Sequence, residues 1–417
     1  MYVAESSRLL LEQRGAGGRG RRRRSRIART VVLLGLTSLF TDVSAEMVST
    51  ILPVYVVFGL GAAPLAFGLL DGLYQGASSL VRLGSGVVAD RGGHKPVAVA
   101  GYGLSAITRI GLIAVGGSVP GLAALIFADR TGKGIRTAPR DAMISLSTPR
   151  DELGRAFGVH RAMDTAGALL GPLIAVGVLL LAPARYDAVF VVSLAFALIG
   201  FAILALYVRP PAKQAVEAAP RASLRSALAL LRDRRFRVVT VAGTLLALVT
   251  ISDGFIYLGL QRHLDFQPTL LPLLYVGTSL AYMVLAVPAG RLADRIGRTP
   301  VFLGGYVLLI LVYSSLLLPH LGGAAVVLYL AAFGAFYAAT DGVLAALGSA
   351  LVPEHLRASG LALLVAFTSL GRLVASVLFG LIWTLAGMQT AVVLFAAGLV
   401  LAAAGSIVLL AGTRARA

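Results

Sequence analysis

Asp129-Arg130-Thr131-Gly132-Lys133-Gly134-Ile135-Arg136-Thr137-Ala138-Pro139-Arg140-Asp141 is the stretch whose placement decides the fold. It carries six charges in thirteen residues, inside a chain that is otherwise apolar. Taken alone it reads as a basic loop. Topology argues otherwise. The polar loops around Asp90 and around Asp151 read as lying on one side of a membrane, so the chain must go out and come back between Lys95 and Arg150. Residues 96–118 supply the outward pass. If 129–141 were a loop, only Gly121–Ala128 would remain for the return, and a span needs about 20 residues. The charged stretch is therefore expected on a helix inside the membrane.

Its spacing agrees. Asp129, Lys133, Arg136 and Arg140 recur at i, i+4, i+7 and i+11, which places them on one helical face. Arg130 and Asp141 lie beside that stripe. Thr131, Gly132, Ile135, Ala138, Pro139 and Ala142 form a small or apolar back. Such a helix suits close packing behind and a watery cavity in front. A bare charge at mid-bilayer costs roughly 2.5–3.5 kcal/mol on insertion scales, so these charges are expected to have partners, water or a task.

The composition bounds the class. Of 417 residues, 58% are hydrophobic and 13% charged, with a mean hydropathy of +0.86; a soluble domain carries about 25% charged residues. The chain reads as a polytopic membrane protein. Cysteine is absent, which excludes disulfides, thiolate metal sites and cysteine nucleophiles. Five histidines are scattered and form no metal motif. The net charge of +18 suggests a membrane surface rather than nucleic acid. Most Lys and Arg fall in alternating segments: the N-terminus to Arg29, Arg91/Lys95, Arg150/Arg155, the 209–237 linker, Arg291–Arg298, Arg357 and the tail. The other loops hold Arg185 and Arg262. This positive-inside pattern predicts both termini in the cytoplasm and anionic lipid at that face.

Twelve spans fit, near 31–59, 65–89, 96–118, 121–147, 154–181, 187–208, 237–261, 269–292, 299–318, 323–350, 357–385 and 389–411. The chain divides into a basic tail (1–30), a six-helix bundle (31–208), a cytoplasmic linker (209–236), a second six-helix bundle (237–411) and a short tail (412–417). Leu224–Leu231 could form a short surface helix. The halves repeat. Gly86-Val-Val-Ala-Asp90-Arg91-Gly-Gly93-His-Lys95-Pro96 follows the second span, and Gly290-Arg-Leu-Ala-Asp294-Arg295-Ile-Gly297-Arg298-Thr-Pro300 follows the eighth, with the two Asp 204 residues apart. Arg155-Ala-Phe-Gly158 and Arg357-Ala-Ser-Gly360 lie 202 apart. The expected fold is all-α, two six-helix bundles related by a pseudo-two-fold repeat, with a site between them near mid-membrane.

The duplicated G-x-x-x-D-R-x-G-x-K/R resembles motif A of the major facilitator superfamily, and the likeness covers about 30–411. Arg130-Thr-Gly-Lys-Gly134 is similar to its motif B. Gly167-Ala-Leu-Leu-Gly171-Pro172 resembles motif C, associated there with antiporters, with Ala175-Val176 where a Gly pair is usual. Asp129–Ala142 is also similar to a bacterial subgroup, some of whose members are linked to resistance to nickel or other metals. The resemblance implies that spans one, four, seven and ten line the cavity and that Asp90, Arg91, Lys95, Asp294, Arg295, Arg298, Gly171 and Pro172 serve gating.

The remaining candidates follow from residue type. Ser38, Asp42, Ala45 and Ser49 make a stripe on the first span, with Glu46 one turn past Asp42. With span one lining the cavity as the resemblance implies, Asp42 and Glu46 would face the basic stripe as candidate proton carriers. Arg130, by its likeness to motif B, is the candidate coupling residue beside them. Lys133, Arg136 and Arg140, with Asp253, Tyr257, Tyr337 and Asp341 of the second half, are candidate substrate contacts. An aromatic beside a carboxylate suits an organic cation; carboxylates alone suit a metal ion. The plainer reading is that Asp253 and Asp341 pair with Lys133 or Arg136. Asp71, Gln75, Ser78 and Arg82 read as packing at the seam between halves. His160, Arg161 and Asp164 read as a buried network. Arg109 has no nameable partner.

The function expected is a proton-coupled antiporter exporting a small cationic or zwitterionic solute by alternating access across the plasma membrane. The alternatives are a divalent-metal exporter, a proton-independent uniporter and a non-transporting receptor. No nucleotide-binding sequence and no nucleophile–base pair are visible, so neither an enzyme nor a cofactor is expected, and a monomer is.

Overall fold

The structure is a computed structural model and describes residues 27–149, 152–209, 228–318, 323–353 and 356–414. Among these, thirteen long helices follow one another without a strand. They are α1 (Arg29–Val54, prolonged by a π-helical turn Tyr55–Gly59), α2 (Pro64–Gly92), α3 (His94–Ala114), α4 (Val119–Leu146), α5 (Leu153–Leu181) and α6 (Tyr186–Ala202, prolonged by Ile203–Tyr207) in the first half. The second half holds α7 (Arg234–Leu248), α8 (Asp253–Leu264), α9 (Pro272–Ile296), α10 (Arg298–Ser315), α11 (Gly323–Ser349), α12 (Arg357–Ala386) and α13 (Met388–Arg414). Helices α7 and α8 are two pieces of one span, so the rods number twelve. Ten of the spans are long and apolar enough to cross a membrane. Residues 224–227 of the expected surface helix lie outside the described residues.

Two glycines carry the repeat into geometry. Gly93 has φ +87° and Gly297 φ +100°. Each stands just before the start of the next helix, at His94 and at Arg298, and a side chain there would be strained. The sequence match is thus a match in backbone turn.

The charged α4 is one unbroken helix packed by its small residues. A methyl group on Gly101 of α3 would sit 2.7 Å from the Gly132 carbonyl, and one on Gly134 would sit 2.8 Å from the Ser78 carbonyl of α2. Helix α1 is wedged in the same way. A methyl on Gly167 or Gly171 of α5, or on Gly200 of α6, would strike its backbone or side chains at 2.5–2.8 Å. Small residues let helices approach where lipid gives no hydrophobic drive for association.

The seventh span differs from the expectation of a continuous 237–261 helix. It breaks at Val249–Ser252. Tyr313 of α10 makes the break tolerable: its hydroxyl accepts from the Ile251 amide at 2.6 Å and donates to the Val249 carbonyl at 3.3 Å. Freed backbone groups at membrane depth need such partners.

The halves meet along α2 and α12. Ser79 Oγ donates to Ser369 Oγ (2.9 Å), Ser376 Oγ donates to Asp71 Oδ2 (2.7 Å) and the Leu65 amide donates to Thr384 Oγ1 (3.0 Å). At the end of the bundle away from the basic loops, Phe67, Phe255, Phe379 and Trp383 interlock, with centroids 4.8–5.8 Å apart and each ring at most 6% exposed. Nearer the basic loops the charged side chains of Arg161 (53% exposed), Asp341 (47%) and Arg82 (36%) open to space. Charges in a bundle face water rather than lipid, so the conformation is sealed on the far side and open toward the basic loops.

Candidate functional site

In the first half, Asp129 holds two guanidinium groups. Arg109 Nη2 reaches Asp129 Oδ1 at 3.2 Å and also Ser44 of α1 through Nε at 3.1 Å. Arg130 Nε donates to Asp129 Oδ2 at 3.0 Å, and its guanidinium lies 3.8 Å from the centre of the Tyr74 ring. All three charged side chains are at most 6% exposed. Arg136 donates to Ser105 Oγ at 2.9 Å and sits over Tyr102 at 4.5 Å. Asp129, Arg130 and Arg136 are therefore spent inside the half. The helical stripe is real, but much of it faces α2 and α3 rather than open space.

The remaining members meet α1 and α5. Lys133 lies within electrostatic reach of Asp42 and Glu46, and Arg136 within reach of Asp42. Glu46 accepts from Ser49 Oγ at 2.7 Å and is a neighbour of Arg130. Arg140 donates to Asp141 (2.9 Å) and Ser38 (3.2 Å), and approaches Asp164 at 3.8 Å. His160 Nε2 lies 3.0 Å from Ser38 Oγ, and Arg161 donates to Asp164 Oδ2 at 2.9 Å. Asp42 and Asp164 are near enough to act on each other electrostatically. Asp164 Oδ1 is buried and has no hydrogen-bond donor.

The second-half candidates converge too. Asp253 opens α8 at the break and accepts a hydrogen bond from the Tyr337 hydroxyl. Tyr257 donates to Thr278 Oγ1 at 2.7 Å. Asp341 accepts from Arg372 Nη2 at 3.3 Å, so its cation comes from α12 and not from Lys133 or Arg136. Asp253, Tyr257, Tyr337 and Asp341 line a cavity of about 160 Å³ with Tyr275, Thr278, Ser279 and Tyr282 of α9. Sequence reasoning missed those α9 residues, although Tyr275, Ser279 and Tyr282 stand at i, i+4 and i+7. It also missed Asp129 as the partner of Arg109 and Asp164 as the partner of Asp42.

The gating candidates are placed as follows. Asp90 and Arg91 end α2, and their side chains lie outside the described residues. Lys95 donates to the Ala205 carbonyl at 2.9 Å, and Arg298 to the Ala346 carbonyl at 2.8 Å, each within its own half. Asp294 and Arg295 are exposed. Gly171 and Pro172 are buried in α5 against α1. Among the described residues no three His, Asp or Glu converge as metal ligands.

The sequence profile of the Major Facilitator Superfamily matches residues 34–261 and again 249–416. The chain belongs to the major facilitator superfamily. It is 31% identical over 398 residues to an uncharacterised MFS-type transporter of Methanocaldococcus jannaschii, covering 92% of this chain and 95% of the relative. An uncharacterised Mycobacterium tuberculosis protein is 34% identical over 152 residues, 36% of this chain and 37% of that one. Among solved structures, the nucleoside transporter NupG superposes with a TM-score of 0.76 at 17% identity, covering 91% of this chain and 99% of NupG. A bacterial homologue of the human lysosomal transporter Spinster, in an inward-facing and unoccupied conformation, gives 0.71 at 15% identity over 91% and 96%. At these identities the structures speak for the fold alone. This major facilitator protein is a multi-pass membrane protein and a secondary transporter.

Proposed function

We propose that this transporter is a proton-coupled antiporter that exports a small cationic solute by alternating access, with the basic loops and both termini in the cytoplasm of a cell bounded by its plasma membrane. The observation that carries proton coupling is the meeting of α1, α4 and α5 at Ser38, Arg140 and Asp164. Arg140 lies 3.2 Å from Ser38 Oγ and 3.8 Å from Asp164 Oδ1, and that oxygen is buried without a donor among the described residues. Asp42, one turn along α1 from Ser38, acts on Asp164. Two neighbouring carboxyls suit one proton held between them. Lys133, Arg136 and Arg140 stand around the pair, so the proton competes with fixed cations for the same oxygens. A movement of α1 against α4 and α5 would change which wins. Glu46 and Arg130 lie one turn further along and extend the same network toward Tyr74. Export is supported by the resemblance of Gly167–Pro172 to the antiporter motif and by its tight seat on α1, the helix that carries Asp42.

The test uses full-length protein in liposomes containing a pH-sensitive dye. Ethanolamine or choline added to one side is expected to drive protons the opposite way in the native chain. Asp42→Asn and Asp164→Asn are each expected to lower that proton flux at least tenfold while solute exchange without a gradient continues. Proton flux unchanged in both variants would contradict the assignment.

A further inference from the structure

The recess beside the broken seventh span says what kind of solute the second half takes. Its wall carries Asp253, Asp341, Tyr257, Tyr275, Tyr282 and Tyr337, and no Lys or Arg is among the lining residues. Asp253 stands in the first turn of α8, the place where a helix N-terminus would otherwise attract an anionic group. That position is already filled by a carboxylate of the protein. Among the described residues each acid is held through one oxygen, Asp253 Oδ1 by Tyr337 and Asp341 Oδ1 by Arg372. The Tyr337 hydroxyl is engaged on Asp253. Tyr257, bonded to Thr278 and packed against Tyr275 and Phe333, is fully buried, so the rings with exposed surface are those of Tyr275, Tyr282 and Tyr337. Tyr257 and Tyr275 meet edge to face, with centroids 4.5 Å apart at 74°. Aromatic faces beside carboxylates attract a cation by quadrupole and by charge together. The size is restrictive as well. About 160 Å³ falls below the roughly 300–1,000 Å³ of pockets that take drug-sized ligands.

We propose that this recess is the binding site for the head of a small organic ammonium ion, with Asp253 and Asp341 as counter-charges and Tyr275, Tyr282 and Tyr337 as its wall. The proposal names the substrate class and site for the transport reading above, and it adds α9 to the site through Tyr275, Thr278, Ser279 and Tyr282. In the conformation seen here Arg372 sits on Asp341 at 3.3 Å. The guanidinium is then the resident cation of the mouth, which an incoming ammonium displaces. Drug-sized cations are excluded unless most of the molecule lies outside the recess.

Binding to the purified full-length chain tests this without any gradient. Calorimetric titration with ethanolamine and with choline is expected to show saturable binding at one site, and titration with benzoate or glucose none. Asp253→Asn and Tyr275→Leu are each expected to weaken ammonium binding at least tenfold, and Asp253→Glu to restore part of it. Equal affinity in native protein and in both variants, or a preference for benzoate, overturns the proposal. A second measurement needs no variant: carbodiimide labelling of Asp341, mapped by mass spectrometry, is expected to slow when ethanolamine is saturating. Labelling indifferent to ethanolamine overturns it too. Since no proton gradient enters these measurements, the site can fail while coupling stands, and coupling can fail while the site stands.

Discussion

Asp129 ties α4 to α3, and through Arg109 to α1. It receives Arg109 from α3 and its own neighbour Arg130, and Arg109 in turn reaches Ser44 of α1. Removing one partner of a buried pair leaves an uncompensated charge, at a cost of about 3–5 kcal/mol. Asp129→Asn is therefore expected to lower the melting temperature of the purified chain strongly, since two guanidiniums lose their carboxylate. Arg161→Gln, at a side chain 53% exposed, is expected to change stability by less than about 1 kcal/mol. A thermal-unfolding scan of both variants beside the native protein checks the contrast. The spacing of Asp129, Lys133, Arg136 and Arg140 was readable because periodicity is a property of one helix. The pairing of Arg109 was not, because it depends on how α3 and α4 slide past each other. That register is set by Gly101 against Gly132, a contact no single-helix pattern encodes. Asp164 was seen as a neighbour of His160 and Arg161 for the same reason: its interaction with Asp42 crosses from α5 to α1.

At the scale of elements, the break in the seventh span is the feature that hydropathy hid. The residues Val249-Thr250-Ile251-Ser252 are as compatible with a helix as with a bend, and only Asp253 beyond them marks a helix start. What decides is a donor and acceptor supplied from α10. Tyr313→Phe removes the hydroxyl that serves Ile251 and Val249. Leaving a buried amide unpaired costs about 1–3 kcal/mol. The expected outcome is a lower melting temperature together with weaker ethanolamine binding, because Asp253 takes its position from that turn. The α9 side of the recess was available to a helical-stripe search, but Tyr275, Thr278, Ser279 and Tyr282 carry no charge that would set them apart within an apolar span. The small back of α4 was readable as a packing surface, and Gly132 stands close against α3. Gly134, outside that back, and Gly167 and Gly171, read from their resemblance to the antiporter motif, also stand at close helix contacts.

Across the whole molecule, the repeat carried most of the information. Two copies of one loop motif predicted two bundles, and Gly93 and Gly297 repeat the same turn in the backbone. Which side is closed could not be read in advance, because both states of a rocking transporter use the same sequence. Here the far side is sealed by Phe67, Phe255, Phe379 and Trp383 across the two halves. Truncating a buried aromatic costs about 3–5 kcal/mol, and here the loss falls on the closed seal. Phe255→Ala is expected to give liposomes that leak choline in the absence of any gradient, measured as tracer efflux; efflux no faster than in native protein would count against this seal.

The account rests most heavily on a proton shared between α1 and α5, and infrared spectroscopy of the purified full-length chain reads it directly. The native protein at neutral pH is expected to show the carbonyl stretch of a protonated carboxyl. Asp42→Asn leaves Asp164 beside Arg140 and Arg161, and Asp164→Asn leaves Asp42 beside Lys133 and Arg136, so either single change is expected to abolish the band. A band that survives Asp164→Asn, or that vanishes only with Glu46→Gln, would contradict the shared proton.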